Sequence, residues 1–100
     1  MDEKQPAVYM MTNKVNTVIY TGSSGNGLER PWHHKQKFVE GFTKKYNLTK
    51  LVYFEPCDTV EEALERERQI KNWKRRWKIE LIEKNNPSWK DLFEDLIKRS

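Results

Sequence analysis

The chain has one cysteine, Cys57. A lone thiol excludes an internal disulfide and any zinc site built from cysteines. No apolar run approaches the length of a membrane span, and the opening MDEKQPAVYMMTN lacks the basic stretch followed by an apolar run that marks a signal peptide. These absences point to a cytoplasmic chain with no membrane partner. Internal repeats and low-complexity segments are also missing. One hundred residues suit a single domain, 1–100, with one core and material for one site, and residues 1–6 are polar and expected to be loose.

What is present in excess is positive charge. The chain carries 19 Lys and Arg against 15 Asp and Glu, a net charge of +4, and the surplus is unevenly placed. Arg66 to Lys78 holds seven basic residues and one acid, while Ile79 to Ser100 holds four basic residues and five acids. Clustered cations act mainly by long-range attraction to phosphates, which favours a polyanionic partner over an acidic small molecule. A merely solvated helix face is the alternative.

The densest chemistry lies in TVIYTGSSGNGLERPWHHK, Thr17 to Lys35. Thr17 to Tyr20 reads as a strand that Gly22, Gly25 and Gly27 then break. Arg30, His33 and His34 follow, so a phenol, a guanidinium and imidazoles emerge at the C-terminal end of one strand. That grouping can grip a phosphate. Otherwise Tyr20 packs in the sheet, the glycines form an ordinary turn, and Arg30 and His34 are solvated.

Around this stretch the pattern predicts strands over Ala7–Thr12, Val18–Tyr20 and Leu51–Phe54, with Asn13 to Asn16 as a hairpin turn. A first helix is predicted from Pro31 to about Glu40, ended by Gly41, since a proline suits a first helical turn. A second starts where Asp58 and Thr59 offer caps with Glu61 and Glu62 as capping-box partners, and runs to about Lys74. A third spans Arg76 to Lys84, and Ser88 caps a last one carrying Trp89, Leu92, Phe93 and Leu96 on one face. The order β-β-α-β-α-α-α implies an α+β domain with a small, three-stranded antiparallel sheet flanked by helices.

One residue breaks the pattern of the second helix. Its apolar stripe is Val60, Ala63, Leu64, Ile70, Trp73 and Trp77, and Glu67 completes the series. An ionised carboxylate in that row needs a partner, because burying it alone costs several kcal/mol. Either it pairs with Arg66, Lys71 or a residue of the first helix, or it binds a metal ion. One carboxylate beside a phosphate is a usual way to hold a mostly hydrated Mg²⁺.

Tyr9, Tyr20, Gly22, Arg30, His34, Glu67 and Asn86, in this order, resemble the GIY-YIG nuclease domain. The chain is similar in particular to its small stand-alone bacterial type, through VEGFTKKYN at 39–47, LVYFE at 51–55, EALERE at 62–67, IKNWKRRWKI at 70–79 and NPSWKDL at 86–92. The likeness covers nearly the whole domain. AVY ends at Tyr9 without the first triplet's glycine, and in YTG Thr21 replaces the usual isoleucine. Gly25, Gly27 and Pro31 stand where members have an apolar residue and a continuous helix.

The resemblance implies a metal-dependent endonuclease acting on DNA, in repair or recombination, with Mg²⁺ (or Mn²⁺) as cofactor. Tyr9, Tyr20, Arg30, His34 and Glu67 are its implied catalytic residues and Glu67 the metal ligand. Lys35, Lys44, Lys45, Lys71, Lys74, Arg75 and Asn86 are expected at the nucleic acid. The first helix is expected to start at or next to Pro31, leaving Arg30 at its boundary and facing Glu67 across a shared cleft. Two other functions compete: a nucleic-acid-binding module that does not cut, and a protein-interaction domain using Trp32 or Trp89.

Overall fold

A computed structural model describes residues 5–36 and 45–98. The elements are β1 (Ala7–Thr12), β2 (Ile19–Ser24), α1 (Glu29–Lys35), β3 (Lys50–Pro56), α2 (Val60–Lys71), α3 (Arg75–Asn85) and α4 (Phe93–Lys98). The fold is α+β, in the order read from the sequence. Its sheet is antiparallel with strand order β2-β1-β3. β1 is therefore central, and all six of its residues are buried because helices cover both faces.

Alternation along the strands divides the core in two. Val8 and Met10 point to a cluster with Ala63, Ile70 and Ile82 of α2 and α3, while Tyr9 and Met11 point to one with Leu48, Leu51 and Phe93. Strict alternation fails once. Met10 pairs with Tyr53 but Met11 with Leu51, so Val52 is an extra residue in a bulge. The bulge lets Val52 and Tyr53 join one cluster and Leu51 the other, which accounts for four consecutive apolar residues in a strand covered on both sides. Met10, Met11, Leu51, Ile70 and Ile82 are fully buried, each worth about 1.5–3 kcal/mol of apolar transfer.

The hairpin turn follows its asparagines. Asn13 Oδ1 accepts from the backbone N–H of Thr17 (2.8 Å) and Val18 (3.1 Å), and Asn16 takes φ 61°. The second strand departs from expectation. It runs on to Ser24 rather than ending at Gly22, which lies mid-strand opposite Tyr9. A Cβ at Gly22 would stand 2.7 Å from the end of the Tyr9 ring and 2.9 Å from the Tyr20 ring. The glycine makes room for two aromatic rings and does not end the strand.

α1 begins at Glu29, two residues before Pro31, after Gly27 turns the chain at φ 60°. Pro31 still falls in the first turn, where its missing N–H removes no helical bond, and the first such bond runs from Trp32 N–H to the Leu28 carbonyl (2.9 Å). Arg30 is thus the second helical residue. The expected helix end at Gly41, with Val39 and Lys44, lies outside the described residues.

α2 starts as predicted. The Thr59 hydroxyl accepts the Glu62 N–H (3.1 Å), and Glu62 in turn accepts the Asp58 N–H (3.1 Å). It ends at Lys71 rather than Lys74, and α3 follows after a three-residue turn. The last helix starts at Phe93, whose N–H is held by Asp91 (3.1 Å), and Ser88 does not cap it because Trp89 has φ 56°. At the other end Pro6 is buried and its carbonyl accepts the Cys57 N–H (2.8 Å), so the chain is held from Pro6 onward.

Two neighbours on β2 predict opposite outcomes. Gly22→Ala should destabilise the protein by about 1–3 kcal/mol, since the buried Tyr9 ring has nowhere to move. Thr21 Oγ1 is buried with no hydrogen-bond partner among the described residues, so Thr21→Val should stabilise by about 1 kcal/mol. Urea unfolding of both variants checks the pair.

Candidate active site

An edge strand brings the two faces of the sheet to one place. β2 lies at the sheet edge, with Leu28 of the α1 cap packed on one face and α2 on the other. Between them is a cleft of about 320 Å³ lined by Tyr20, Ser23, Ser24, Gly25, Arg30, Val60, Ala63, Leu64 and Glu67. Tyr20 is paired with Met11 and so shares the Tyr9 face, whereas Ser23 is paired with Val8 and faces α2. The cleft therefore combines residues that a flat reading of the strand would separate.

Three rings build its inner wall. Tyr9 and Tyr20 lie 6.4 Å apart between centroids, and His34 sits 5.9 Å from Tyr9 and 5.3 Å from Tyr20. The Tyr9 hydroxyl and His34 Nε2 share a 3.0 Å hydrogen bond, its direction set by the imidazole tautomer. His34 is 2% exposed, so it is not a solvated helix residue. Burial, then Arg30 and His33, lowers its pKa to about 4, and the ring is neutral at physiological pH. Burial first, then the neighbouring Tyr20, pushes the Tyr9 phenol well above its usual range, against a smaller opposing pull from Arg30. Tyr9 is thus a protonated hydrogen-bonding group and not a base. Of the two phenols, Tyr20 is the one that lines the cleft.

The outer wall carries opposite charges. Arg30 and Glu67 both line the cleft, as expected of them. The Glu67 side chain is 18% exposed, and both its oxygens have partners: Ser23 Oγ donates to Oε1 at 2.5 Å and Lys71 Nζ to Oε2 at 2.5 Å. Lys71 also stands 5.9 Å from the Tyr20 ring centroid. Of the ion-pair partners open to Glu67, the structure chooses Lys71. Arg66 turns instead to Glu55 (3.2 Å) and the Trp73 ring (5.3 Å).

Glu67 stands in the row of Ala63 and Ile70, four residues after one and three before the other. Ala63 and Ile70 are buried, but Val60 is 47% and Leu64 55% exposed, and both border the cleft beside Glu67. The carboxylate stands where the buried row meets the cleft. Among the described residues no three His, Cys, Asp or Glu side chains gather as a metal cage. The Glu67 carboxylate and Ser23 hydroxyl are hard oxygen donors in a cleft with room for water, which fits a hydrated Mg²⁺ held by one carboxylate. Sequence reading missed Ser23, because it ended the strand at Gly22.

The residues expected at nucleic acid divide. Lys35 is tied inside the protein, donating to Asp91 (2.6 Å) and the Thr49 carbonyl (3.1 Å) and lying 5.2 Å over the Phe93 ring. Asn86 is 3% exposed and donates to the Val52 (3.1 Å) and Lys90 (2.9 Å) carbonyls while accepting the Lys90 N–H (3.1 Å). Within the fold Lys35 joins α1 to the α4 approach, and Asn86 closes the turn after α3. Lys45, Lys71, Lys74 and Arg75 are exposed, and Lys44 lies outside the described residues. Lys78 closes the basic run that starts at Arg66. It is half-buried on α3, and its pKa is lowered by burial, then by Arg75 and Lys71. Trp32 packs edge-on to Phe93 (5.7 Å), and Trp89 packs against the core with its indole N–H on Glu83 (2.7 Å).

A model of the GIY-YIG catalytic domain matches residues 5–80 of this chain. The chain belongs to the GIY-YIG family. It is also 37% identical over 68 residues to a UPF0213 protein of Syntrophus aciditrophicus (strain SB), covering 67% of this chain and 78% of that protein. No solved structure matches. The GIY-YIG match contains β1, β2, α1, β3 and α2, hence every residue of the cleft, and stops before Asn86 and α4. Membership places the chain in a nuclease-type family whose substrate is nucleic acid.

The buried imidazole predicts a pH signature. Unfolded chains protonate His34 below about pH 6.5 and the folded protein only near pH 4, so the unfolded state binds more protons between them. The neutral ring's contribution is full above pH 6.5 and is lost as pH falls towards 4. The stability gap between wild type and His34→Gln should therefore shrink by about 2 kcal/mol from pH 7 to pH 4.5, read by urea unfolding. A gap independent of pH would contradict the buried neutral imidazole.

Proposed function

We propose that the chain is a divalent-metal-dependent endonuclease that hydrolyses phosphodiester bonds in DNA, in the setting of repair or recombination. The observation that carries this reading is the placement of Arg30 and Glu67 on one cleft that also exposes Tyr20. A phosphate enters such a cleft for the guanidinium. A protein that only bound the backbone would have no use for a carboxylate there.

Each residue has a definite part. Arg30 holds two oxygens of the scissile phosphate with its planar fork and balances the charge that builds on them. Tyr20 Oη, as phenolate, takes a proton from the attacking water, whose oxygen then forms the new bond to phosphorus while the bridging oxygen leaves. A phenol gives up its proton near pH 10, so this role depends on cations beside it. Arg30 lines the same cleft, and the Lys71 ammonium lies 5.9 Å from the ring. Tyr9, kept protonated, orients water or phosphate by hydrogen bonds, and His34 fixes the Tyr9 hydroxyl. Glu67 with Ser23 would hold the divalent ion, which supplies charge stabilisation at the leaving oxygen when bound.

One observation supports a non-cutting nucleic-acid binder instead: the Lys71 ammonium already neutralises Glu67. Two variants separate the readings. Arg30→Ala and Glu67→Gln should each lower Mg²⁺-dependent cleavage by roughly 10²-fold or more, the loss expected for an electrostatic contact made in the transition state. DNA affinity should change far less, and Glu67→Gln should bind at least as well as wild type. A Glu67→Gln protein that cuts normally would leave Glu67 as an ion-pair residue alone.

A further inference from the structure

The Glu67–Lys71 pair does more than satisfy a carboxylate. Ser23 occupies Oε1 and Lys71 occupies Oε2, so a divalent ion can reach the carboxylate only by replacing one of them. Ser23 is a short side chain on β2. Lys71 is a long stem, 49% exposed, at the last turn of α2. Only the lysine end of the pair is half-exposed, on a flexible four-carbon stem that can swing to solvent, so Lys71 is the partner that leaves.

Its destination is limited. Glu67 is the single acid from Arg66 to Lys78, and the charges on the following turns are Lys74, Arg75, Arg76 and Lys78. Lys71 and Arg75 already disfavour a further charge at Lys78. A displaced Lys71 ammonium thus meets like charge along the helix, while on the Tyr20 side it faces the cleft. An incoming phosphate is the counter-charge available to it.

We propose that Lys71 is a displaceable counter-ion of the site, which holds Glu67 until a divalent ion takes the carboxylate and then passes to a nucleic-acid phosphate. The inference rests on Glu67 being the metal ligand. Its consequence is coupling: a nucleic acid that accepts Lys71 raises the ion's affinity, and the ion raises the nucleic acid's affinity by the same factor. Lys71 acts here as a positioning residue, exchanging one anionic partner for another.

Mn²⁺ binding, followed by electron paramagnetic resonance with and without a phosphorothioate DNA oligonucleotide, tests this without turnover. Lys71→Met keeps the stem and removes the charge. It should bind Mn²⁺ about fivefold more tightly than wild type without DNA, and the factor by which DNA tightens Mn²⁺ binding should fall towards one. Lys71→Arg, which keeps the charge, should retain the wild-type coupling. If Lys71→Met binds Mn²⁺ no better than wild type while Glu67→Gln binds none, the counter-ion role is overturned and Glu67 stays the ligand. If Glu67→Gln binds Mn²⁺ as wild type does, the metal-ligand reading itself is overturned.

Discussion

The hydrogen bond between the Tyr9 hydroxyl and His34 sets the geometry of the cleft. Tyr9 is rooted in the central strand, fully buried, and its hydroxyl has to be satisfied there because an unpaired buried hydroxyl costs about 1–3 kcal/mol. His34 satisfies it from α1. The contact fixes the rotation of that short helix, and Arg30, one turn before His34, is brought to the cleft as a result. The same ring, lying close over Gly22, leaves Tyr20 beside it at the sheet edge.

The edge position of β2 supplies the second half of the arrangement. A central strand presents its two faces to two separate cores, as β1 does with Tyr9 and Val8. At an edge, side chains from both faces border the same solvent. Ser23 and Glu67 approach from the α2 side and Tyr20 and Arg30 from the α1 side. Net charge overstates the basic surface around them. Arg66 pairs with Glu55, Arg68 with Glu65 and Lys71 with Glu67, leaving Lys74, Arg75, Arg76 and the half-buried Lys78 as the cations that continue from the cleft.

Much of this was legible in the chain itself. Element order, the Thr59 cap, the two tyrosines and the misplaced Glu67 follow from periodicity, turn chemistry and motif. What escaped depended on contacts between distant residues. Gly22 reads as a strand breaker until the Tyr9 ring is seen above it, and with the strand cut there Ser23 had no reason to be noticed. Lys35 and Asn86 look like polar residues open to a ligand, and their ties to Asp91 and the Val52 carbonyl join positions far apart in the chain. Val60 and Leu64 obey helical spacing, yet α2 overhangs the sheet edge, so their part of the stripe borders a cleft and not a core.

The nuclease reading is tested most directly on the unaltered protein. Nicked, branched and single-stranded DNA, end-labelled, would be incubated with it in Mg²⁺, in Mn²⁺ and in excess chelator, and the products resolved by length. Internal cuts in at least one of these DNAs, present with either ion and abolished by chelator, are the predicted result. Salt-sensitive binding of all three DNAs with no cut under any condition would contradict it and leave a nucleic-acid-binding protein on a nuclease fold.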